Sequence, residues 1–236
     1  MKKTLAFVLI LSAVHFSGSE MRAQDKGLMF AYGGASFHME DLKGFQEYIL
    51  STYPVAGKII SSFPPYVSFS VSYFRQVLGI LNIGAGYVQT STGGKSDYTD
   101  YSGSLNTNMV ANSHRLGAFL SYTVVGGEKI SLSLIGRLDA NLTRLRVVSA
   151  IAAAGVSYSA DNKYKSISPN VSTGLELMYK FKTFSVGLDG GYLVDFPAEL
   201  SNTEGGSRLH NPTNSLKILT TNWTGWRVNL KAIIWI

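Results

Sequence analysis

The sequence predicts an all-β fold: an eight-stranded, antiparallel, up-and-down transmembrane barrel. Three observations predict it. Apolar and polar residues alternate in eight segments between residue 28 and the last residue, Ile236, and a period of two is typical of strands. The connections between these segments are alternately short and long. One face of each segment is apolar and nearly free of charge, as contact with lipid requires.

The N-terminal segment has the parts of a secretory signal peptide. Two lysines follow the first methionine, and an apolar run over 5–14 comes next. That run is too short to span a bilayer comfortably. Ala23 stands at the last position of a cleavage site, and Ser19 is an alternative cut point. We therefore predict a signal peptide over 1–23 and one barrel domain over 24–236, rather than a buried N-terminal helix.

Composition narrows the remaining possibilities. The chain has no cysteine, which excludes disulfides and cysteine metal sites. Its formal net charge of +6 includes three basic residues of the predicted signal peptide, so the remainder is too weakly basic to indicate nucleic-acid binding. No later apolar run is long enough for a membrane helix. A chain that spans a membrane without such a helix must form a closed barrel, because every backbone polar group needs a partner in lipid.

The number of predicted strands is even, as closed bacterial barrels require. The last strand illustrates the pattern: Trp226, Val228 and Leu230 fall on one face, and Arg227 and Lys231 fall on the other. The predicted strands, in chain order, are 28–37, 66–75, 79–90, 112–124, 130–144, 170–181, 184–196 and 223–236.

The connections predict which end of the barrel faces outward. Tight connections, one of them with the hairpin signal Gly126-Gly127, alternate with long ones rich in Ser, Asn, Thr, Gly and Tyr. This rhythm is typical of short periplasmic turns and long extracellular loops. The prolines are expected in loops or at strand starts. The tight connections are 75–79, 125–128 and 181–184, and the long ones are 38–65, 91–111, 147–169 and 197–222.

The first long loop contains a predicted amphipathic helix. Its apolar residues recur at the spacing of one helix face, with Asp41 as the predicted N-cap and Pro54 after the end. We expect this helix to pack on the barrel rim, and a lid or ligand gate is the alternative. The apolar positions are Leu42, Phe45, Tyr48, Ile49 and Tyr53.

The polar face of the strands separates a soluble barrel from a membrane barrel. A soluble barrel would bury its apolar face and cover the other with many lysines and glutamates. Here the polar face is mainly Ser, Gly and Asn with a few charges of both signs, which suits a narrow interior. The apolar face is therefore predicted to meet lipid, between two aromatic girdles. The predicted girdles are Tyr73, Tyr122, Tyr179, Phe181 and Phe184 near the short turns, and Tyr32, Tyr87, Tyr192, Phe196 and Trp226 near the long loops.

The polar face also places ionisable residues in the predicted lumen. A two-residue turn between the sixth and seventh strands puts Glu176 directly across from Asp189. Two carboxylates at this short distance repel each other unless cations lie next to them. Lys231, Arg227 and Arg137 are the predicted cations. A salt-bridged plug is therefore favoured over an open pore, in which unpaired charges would be costly. The predicted lumen charge network is Arg115, Arg137, Asp139, Glu176, Asp189, Arg227 and Lys231.

From residue 28 to its end, the chain resembles the small outer-membrane β-barrel proteins of Gram-negative bacteria, of the OmpA-transmembrane-domain-like and porin-family type. The resemblance rests on the hairpin rhythm and on the terminal strand, which begins Trp223-Thr224-Gly225-Trp226. The Ala23-Gln24 junction is similar to that of Bacteroidetes signals. The resemblance implies a monomer in the cell outer membrane, in contact with its lipid. It also implies recognition of the stretch from Trp226 to Ile236 by the barrel assembly machinery, although such strands usually end in Phe or Trp.

The function that follows is non-enzymatic: a structural role in the cell envelope, or an interaction through the external loops. The alternatives are a narrow channel or apolar-ligand conduit, and a lipid-modifying enzyme. No catalytic residue, cofactor or metal motif is predicted. His38 and His210 lie in predicted loops and are the candidates for the enzymatic alternative. Ser113 and His114 are adjacent, so on a strand they point to opposite faces and cannot form a nucleophile–base pair.

Overall fold

The computed structural model describes residues 25–52, 57–77, 79–101, 103–153, 156–211 and 214–236. The predicted signal peptide lies outside these ranges, as do Tyr53 and Pro54 at the end of the predicted helix. In chain order, the elements are β1 (Lys26–Ala35), α1 (Glu40–Ser51), β2 (Lys58–Ser62), β3 (Tyr66–Gln76), β4 (Leu81–Asp100), β5 (Gly103–Gly126), β6 (Ile130–Ala153), β7 (Val156–Lys180), β8 (Phe184–Asp195), β9 (Ala198–Glu199), β10 (Ser201–Asn202), β11 (His210–Asn211), β12 (Asn214–Ile218), β13 (Thr220–Thr221) and β14 (Gly225–Trp235).

Within the described residues, eight strands form a closed antiparallel ring in the order β1-β3-β4-β5-β6-β7-β8-β14. The last strand closes it: Leu230 lies opposite Tyr32 of β1 on one side and opposite Leu188 of β8 on the other. Closure leaves no free sheet edge in the ring. Each ring strand overlaps one of the predicted segments, so the predicted fold class is confirmed.

Two of the hairpins extend much further than the sequence pattern predicted. β4 and β5 remain paired up to Asp100 and Gly103 at their tip, and β6 pairs with β7 over its whole length. The prediction of loops over 91–111 and 147–169 is therefore wrong. Their outward faces are mostly polar because they lie beyond the membrane, while inward side chains such as Met109 and Val147 remain buried. Their Thr, Tyr, Val and Ile residues keep a strong preference for strand.

Pro169 lies inside β7 rather than at a strand start. Its carbonyl oxygen accepts a hydrogen bond from the Phe196 backbone N–H at 3.1 Å, next to the end of β8 at Asp195. The nitrogen and the carbonyl of a strand residue face the same neighbour, so the missing N–H points to the place where β8 ends. The β6–β7 ladder therefore loses no hydrogen bond at this proline.

The outer wall of the ring is apolar. Leu138, Leu188 and Leu230 expose 61%, 55% and 62% of their surface, while the intervening residues of the same strands point inward and are mostly polar. Exposed aromatic side chains lie near both ends of the wall. Those near the short turns are Tyr122, Tyr179, Phe181 and Phe184, and those near the long loops are Tyr32, Tyr66, Phe196 and Trp226. Contact with lipid requires such an apolar outer wall with aromatic residues near its two ends.

Two apolar clusters lie inside the barrel, one near each end. The lower cluster sits next to the short turns and consists of Met29, Phe74, Phe119, Met178, Ile233 and Trp235. Its Phe74 and Trp235 rings meet edge to face at 5.3 Å. The upper cluster sits below the long loops and consists of Ala35, Phe37, Met39, Leu42, Phe63, Met109, Ala111, Leu145, Val147, Leu193, Leu200, Leu219 and Trp223.

Helix α1 is part of the upper closure. Leu42 is fully buried in the upper cluster, and Gln46 Nε2 donates to the Ser61 carbonyl at 2.9 Å and to Ser96 Oγ at 3.0 Å. The predicted N-cap is wrong: Met39 holds that position without a side-chain cap, and Asp41 lies in the first turn. Among the described residues, no helix is long and apolar enough to cross a membrane.

Candidate functional site in the barrel lumen

The alternation of the ring strands turns all seven predicted charge-network residues toward the lumen. Each is buried or nearly so in a barrel whose outer wall is apolar. They come from five strands: Arg115 from β5, Arg137 and Asp139 from β6, Glu176 from β7, Asp189 from β8, and Arg227 and Lys231 from β14.

Lys231 joins the two facing carboxylates. Glu176 and Asp189 are direct cross-strand partners on β7 and β8. The Lys231 ammonium lies 2.7 Å from Glu176 Oε2 and 2.8 Å from Asp189 Oδ2. All three side chains are largely shielded from solvent, so the attraction acts with little screening by water.

The remaining carboxylate oxygens of this group also have donors. Asn229 Nδ2 donates to Asp189 Oδ1 at 2.7 Å, and Ser68 Oγ in turn donates to Asn229 Oδ1 at 3.1 Å. Ser121 Oγ reaches Glu176 Oε1 at 3.4 Å. Buried charges persist in proteins when ion pairs and hydrogen bonds satisfy them together, and this group meets that condition.

A second group centres on Asp139. Arg137 Nε donates to Asp139 Oδ1 at 2.6 Å, and Arg115 Nη1 lies 4.0 Å from Asp139 Oδ2. Arg137 also donates through Nη2 to the Gly86 carbonyl at 2.8 Å. The predicted pairing of Arg137 with the Glu176–Asp189 pair is therefore wrong, because its own β6 neighbour Asp139 is closer.

Arg227 does not bind the facing carboxylates either, which corrects the prediction made for it. Its guanidinium donates to the main-chain carbonyls of Ser36 and Trp223, at 2.5 Å each, and to that of Trp226 at 2.9 Å. It also lies 5.2 Å from the centre of the Phe37 ring, within the range of a cation–π contact. Arg227 thus anchors the start of β14 to the upper cluster.

The sequence-based prediction of the charge network omitted one residue, Asp195. Its carboxylate accepts from Ser168 Oγ at 2.8 Å and from the Trp223 backbone N–H at 3.0 Å. The signal was present, because Asp195 shares the inward face of β8 with Asp189. With Asp195 included, four cations face four carboxylates: Arg115, Arg137, Arg227 and Lys231 against Asp139, Glu176, Asp189 and Asp195.

The lumen retains a small cavity of about 100 Å³. Charged side chains such as Arg115, Asp189 and Lys231 line it together with apolar ones such as Met29, Val88 and Phe119. The lower cluster lies beneath it and the upper cluster above it. The cavity has room for a few waters, and the fixed charges around it are already paired or bonded to main-chain carbonyls.

Trp223 is the centre of the upper closure. It is fully buried, meets Phe37 edge to face at 5.1 Å, and donates from Nε1 to Thr143 Oγ1 at 2.8 Å. A large aromatic ring with its polar atom satisfied is well suited to a buried position. The predicted last strand begins at Trp223, but a local pattern does not show which side chains an inward-facing residue will meet.

The two histidines of the enzymatic alternative do not line the same pocket. His38 lines an open surface pocket with Glu40, Asp41, Lys217, Thr220 and Asn222, and His210 is not among its lining residues. Among the described residues, no group of three or more His, Asp or Glu side chains is placed to hold a metal ion.

The Ser113–His114 dipeptide is split across the barrel wall, as the alternation predicts. Ser113 points inward and donates to Asn141 Oδ1 at 2.6 Å. His114 lies on the outside, with Nδ1 2.6 Å from the Tyr87 hydroxyl. A serine and a histidine on opposite sides of a wall cannot exchange a proton directly.

The surface pocket lined by His38 also contains an ion pair, which holds α1 to the last loop. Lys217 Nζ lies 2.6 Å from Asp41 Oδ1, and Thr220 donates to Asp41 Oδ2 through its hydroxyl at 2.8 Å and its N–H at 3.2 Å. Burial raises the pKa of Asp41, but the bonds from Lys217 and Thr220 outweigh it, and the pKa lies below its ordinary value. The Asp41 hydrogen bond raises the pKa of Lys217.

A closed antiparallel ring with an apolar outer wall, aromatic residues near both ends of that wall and a polar, charge-paired lumen defines an integral outer-membrane β-barrel. The chain is such a protein, and it lies in the outer membrane. No protein-family model matches it, and no curated protein does.

Solved structures resemble the chain. A major outer membrane protein from Thermus thermophilus gives a TM-score of 0.49 at 11% identity, over 89% of this chain and 98% of that one. OprG from Pseudomonas aeruginosa gives 0.44 at 11%, over 90% and 96%. Ail, the attachment invasion locus protein of Yersinia pestis, gives 0.37 at 10%, over 91% and 99%. Function cannot be read from similarity of fold, so it has to come from this chain's own residues.

Proposed function

We propose that this protein is a non-enzymatic, non-conducting outer-membrane barrel that serves the cell envelope structurally and presents its external hairpins for interaction. The observation that supports this most directly is the position of Lys231 between Glu176 and Asp189. It occupies the middle of the lumen, with the lower cluster beneath and the upper cluster above. A solute crossing the barrel would have to displace all three closures.

The energetics favour the closed state. Separating Lys231 from its two carboxylates without replacement would leave uncompensated charges in a narrow, shielded bore. Breaking a buried pair in this way costs about 3–5 kcal/mol. Displacing Trp223 would also forfeit its ring contact with Phe37 and its bond to Thr143. Thermal opening of the lumen is therefore expected to be rare.

The apolar-ligand conduit receives less support from the cavity. An apolar ligand needs a pocket lined mainly by apolar side chains, commonly about 300–1,000 Å³ in volume. The lumen cavity is only about 100 Å³, and charged side chains stand among its apolar lining residues. Its size suits a few ordered waters rather than a hydrocarbon chain.

The long hairpins support an outward-facing role. β4–β5 and β6–β7 continue as paired strands well beyond the apolar wall, and β2 adds a further strand along β4, with Lys58 opposite Asp97. Paired strands hold their side chains in a fixed arrangement, whereas an unstructured loop does not. Such rigid surfaces can bind a partner at a lower entropic cost.

Conductance across planar lipid bilayers tests the proposal. The purified, folded barrel is expected to give no discrete current steps. The triple variant Phe74→Ala, Trp223→Ala, Lys231→Ser removes one member of each closure and serves to show that an opened lumen would be detected. Leu138→Ala, on the outer wall, is the matched control. Discrete steps from the unmodified protein would overturn the proposal.

The enzymatic alternative is tested separately. Expression of the protein in a Gram-negative host is expected to leave the mass profile of lipid A unchanged. A changed profile that disappears with His38→Ala or His210→Ala would show a lipid-modifying enzyme and contradict the non-enzymatic role.

A further inference from the structure

Four basic side chains form a compact patch on the outside of the barrel. Arg144 and Arg146 lie on β6, and Lys165 and Lys163 lie directly opposite them on β7. All four are exposed. Alternation turns them outward, on the same face of these strands as the lipid-facing leucines. We call Arg144, Arg146, Lys163 and Lys165 the basic patch.

The basic patch lies where the apolar wall ends. Along the outer face of β6 and β7, the cross-strand pair Leu142–Ile167 is the last apolar pair before Arg144–Lys165. Ile167 is 70% exposed. The patch therefore begins one side-chain pair above a surface that contacts hydrocarbon, at the level where lipid headgroups lie.

The protein itself neutralises the patch only in part. Like charges directly opposite each other on neighbouring strands repel, and here two such pairs are stacked. Arg146 forms a bidentate ion pair with Asp161: Nε donates to Oδ1 at 2.9 Å, and Nη2 donates to Oδ2 at 2.8 Å. This contact lowers the pKa of Asp161. Neither Arg144 nor Lys165 has an ion-pair partner among the described residues.

We propose that the basic patch is a binding site for the phosphorylated headgroup of a membrane lipid. Guanidinium groups bind phosphate oxygens in pairs, and lysines add compact positive charge. An anion seated between Arg144 and Lys165 would relieve their repulsion. The acyl chains of the same lipid would then run down the wall over Leu142 and Ile167. A free phosphate could use the basic groups but not the wall, so the position of the patch favours a lipid.

Native mass spectrometry of the folded, full barrel in neutral detergent tests the site. Three probes separate the contributions: phosphatidic acid, diacylglycerol with the same chains and no phosphate, and inorganic phosphate with no chains. Phosphatidic acid is expected to bind, and the other two are expected to bind at least tenfold more weakly. Binding of phosphatidic acid should weaken as salt is added, because the attraction is electrostatic.

Variants locate the site on the barrel. Arg144→Gln/Lys165→Gln should weaken phosphatidic acid binding by roughly tenfold or more, equivalent to about 1.4 kcal/mol. Arg146→Gln/Lys163→Gln tests the second pair in the same way. Lys58→Gln/Lys95→Gln removes the same charge from exposed positions on β2 and β4 and should leave binding unchanged. The folded state of each variant is checked by its gel mobility without heating.

Three outcomes would overturn the inference. Equal binding of phosphatidic acid by the unmodified protein and by both patch variants would place the lipid elsewhere. Equal binding of diacylglycerol would show that the phosphate is not recognised. Inorganic phosphate binding as tightly as phosphatidic acid would make this a free-anion site. None of these outcomes bears on whether the lumen conducts.

Discussion

Glu176 and Asp189 lie directly opposite each other on neighbouring strands, and both face the lumen. Such an arrangement is unfavourable for two carboxylates alone. It is stable here because Lys231, from the strand on the other side of β8, reaches both of them. The pair and its cation connect β7, β8 and β14, at the side of the ring where the last strand joins.

Removing the shared cation should destabilise the barrel strongly. Lys231→Met keeps much of the side-chain length but leaves two buried carboxylates facing each other, so the free energy of unfolding should fall by about 3–5 kcal/mol. Glu176→Ala should also lower it, since Lys231 then keeps a single partner. The measurement is the temperature at which the unheated, fast-migrating gel band is lost.

Lys58→Met is the control for a lost lysine, because Lys58 is exposed and surface charges contribute little. A compensated triple variant, Lys231→Met with Glu176→Gln and Asp189→Asn, should regain much of the lost stability. If Lys231→Met and Lys58→Met unfold at the same temperature, the lysine does not stabilise the lumen.

Asp139→Asn should destabilise the barrel through its two arginines. Asp139 lies against Arg137 and near Arg115, so its loss leaves two guanidinium groups close together in a shielded space. The double variant Asp139→Asn/Arg137→Gln removes one of them and should be more stable than Asp139→Asn alone. Denaturant unfolding, followed by circular dichroism, measures both. An Asp139→Asn variant as stable as the unmodified protein would contradict this account.

Trp223→Ala should reduce stability by about 3–5 kcal/mol, because it leaves a large cavity in the upper cluster and a Thr143 hydroxyl without its donor. Trp226→Ala is the matched comparison. Trp226 is 67% exposed on the outer wall, so its loss in detergent should cost much less. Equal losses for the two variants would show that the upper cluster is not closely packed around Trp223.

The contact of α1 with the last loop should depend on pH. The folded-state pKa of Asp41 lies below its ordinary value of 3.8. Its contribution is therefore present above that value and lost as pH falls through the lower, folded-state pKa. The pKa of Lys217 is raised, so its contribution persists up to its ordinary value and is lost as pH rises through the folded-state value.

Hydrogen exchange of the α1 amides, corrected for the intrinsic effect of pH, measures this dependence. Protection should fall on going from pH 7 to about pH 3, while protection of the ring strands changes less. Asp41→Asn should lower protection at pH 7 and remove the acid dependence. An α1 whose protection is the same at both pH values, with Asp41 intact, would contradict the contribution of this ion pair.

Local sequence patterns correctly predicted much of the fold. The alternation of side chains identified the eight ring strands and which face of each turns inward, because a strand has only two faces and lipid tolerates only one kind of residue. The same alternation failed at the outer ends of β4 to β7. There the outward face lies beyond the lipid and is mostly polar, so polarity no longer distinguishes a strand from a loop.

The alternation indicated which charged residues turn inward but not how they pair. Arg115, Arg137, Asp139, Glu176, Asp189, Arg227 and Lys231 all lie on inward faces, and the register across a two-residue turn placed Glu176 opposite Asp189. Which cation serves which carboxylate depends on height along strands distant in sequence. Arg137 pairs with Asp139, and Arg227 donates to main-chain carbonyls. No local pattern indicated either contact.

The sequence by itself determined the class of protein, because the period of two, the charge-free face and the rhythm of the turns are local properties imposed by the membrane. The tertiary structure alone decided which side chains fill the lumen and which of them pair. In the lumen, Trp223 meets Phe37, Phe74 meets Trp235, and Lys231 of β14 reaches Glu176 of β7 past the intervening β8. The physical reason is ring closure: it brings together side chains separated by more than fifty residues, and their distances are fixed only once the eight strands have paired.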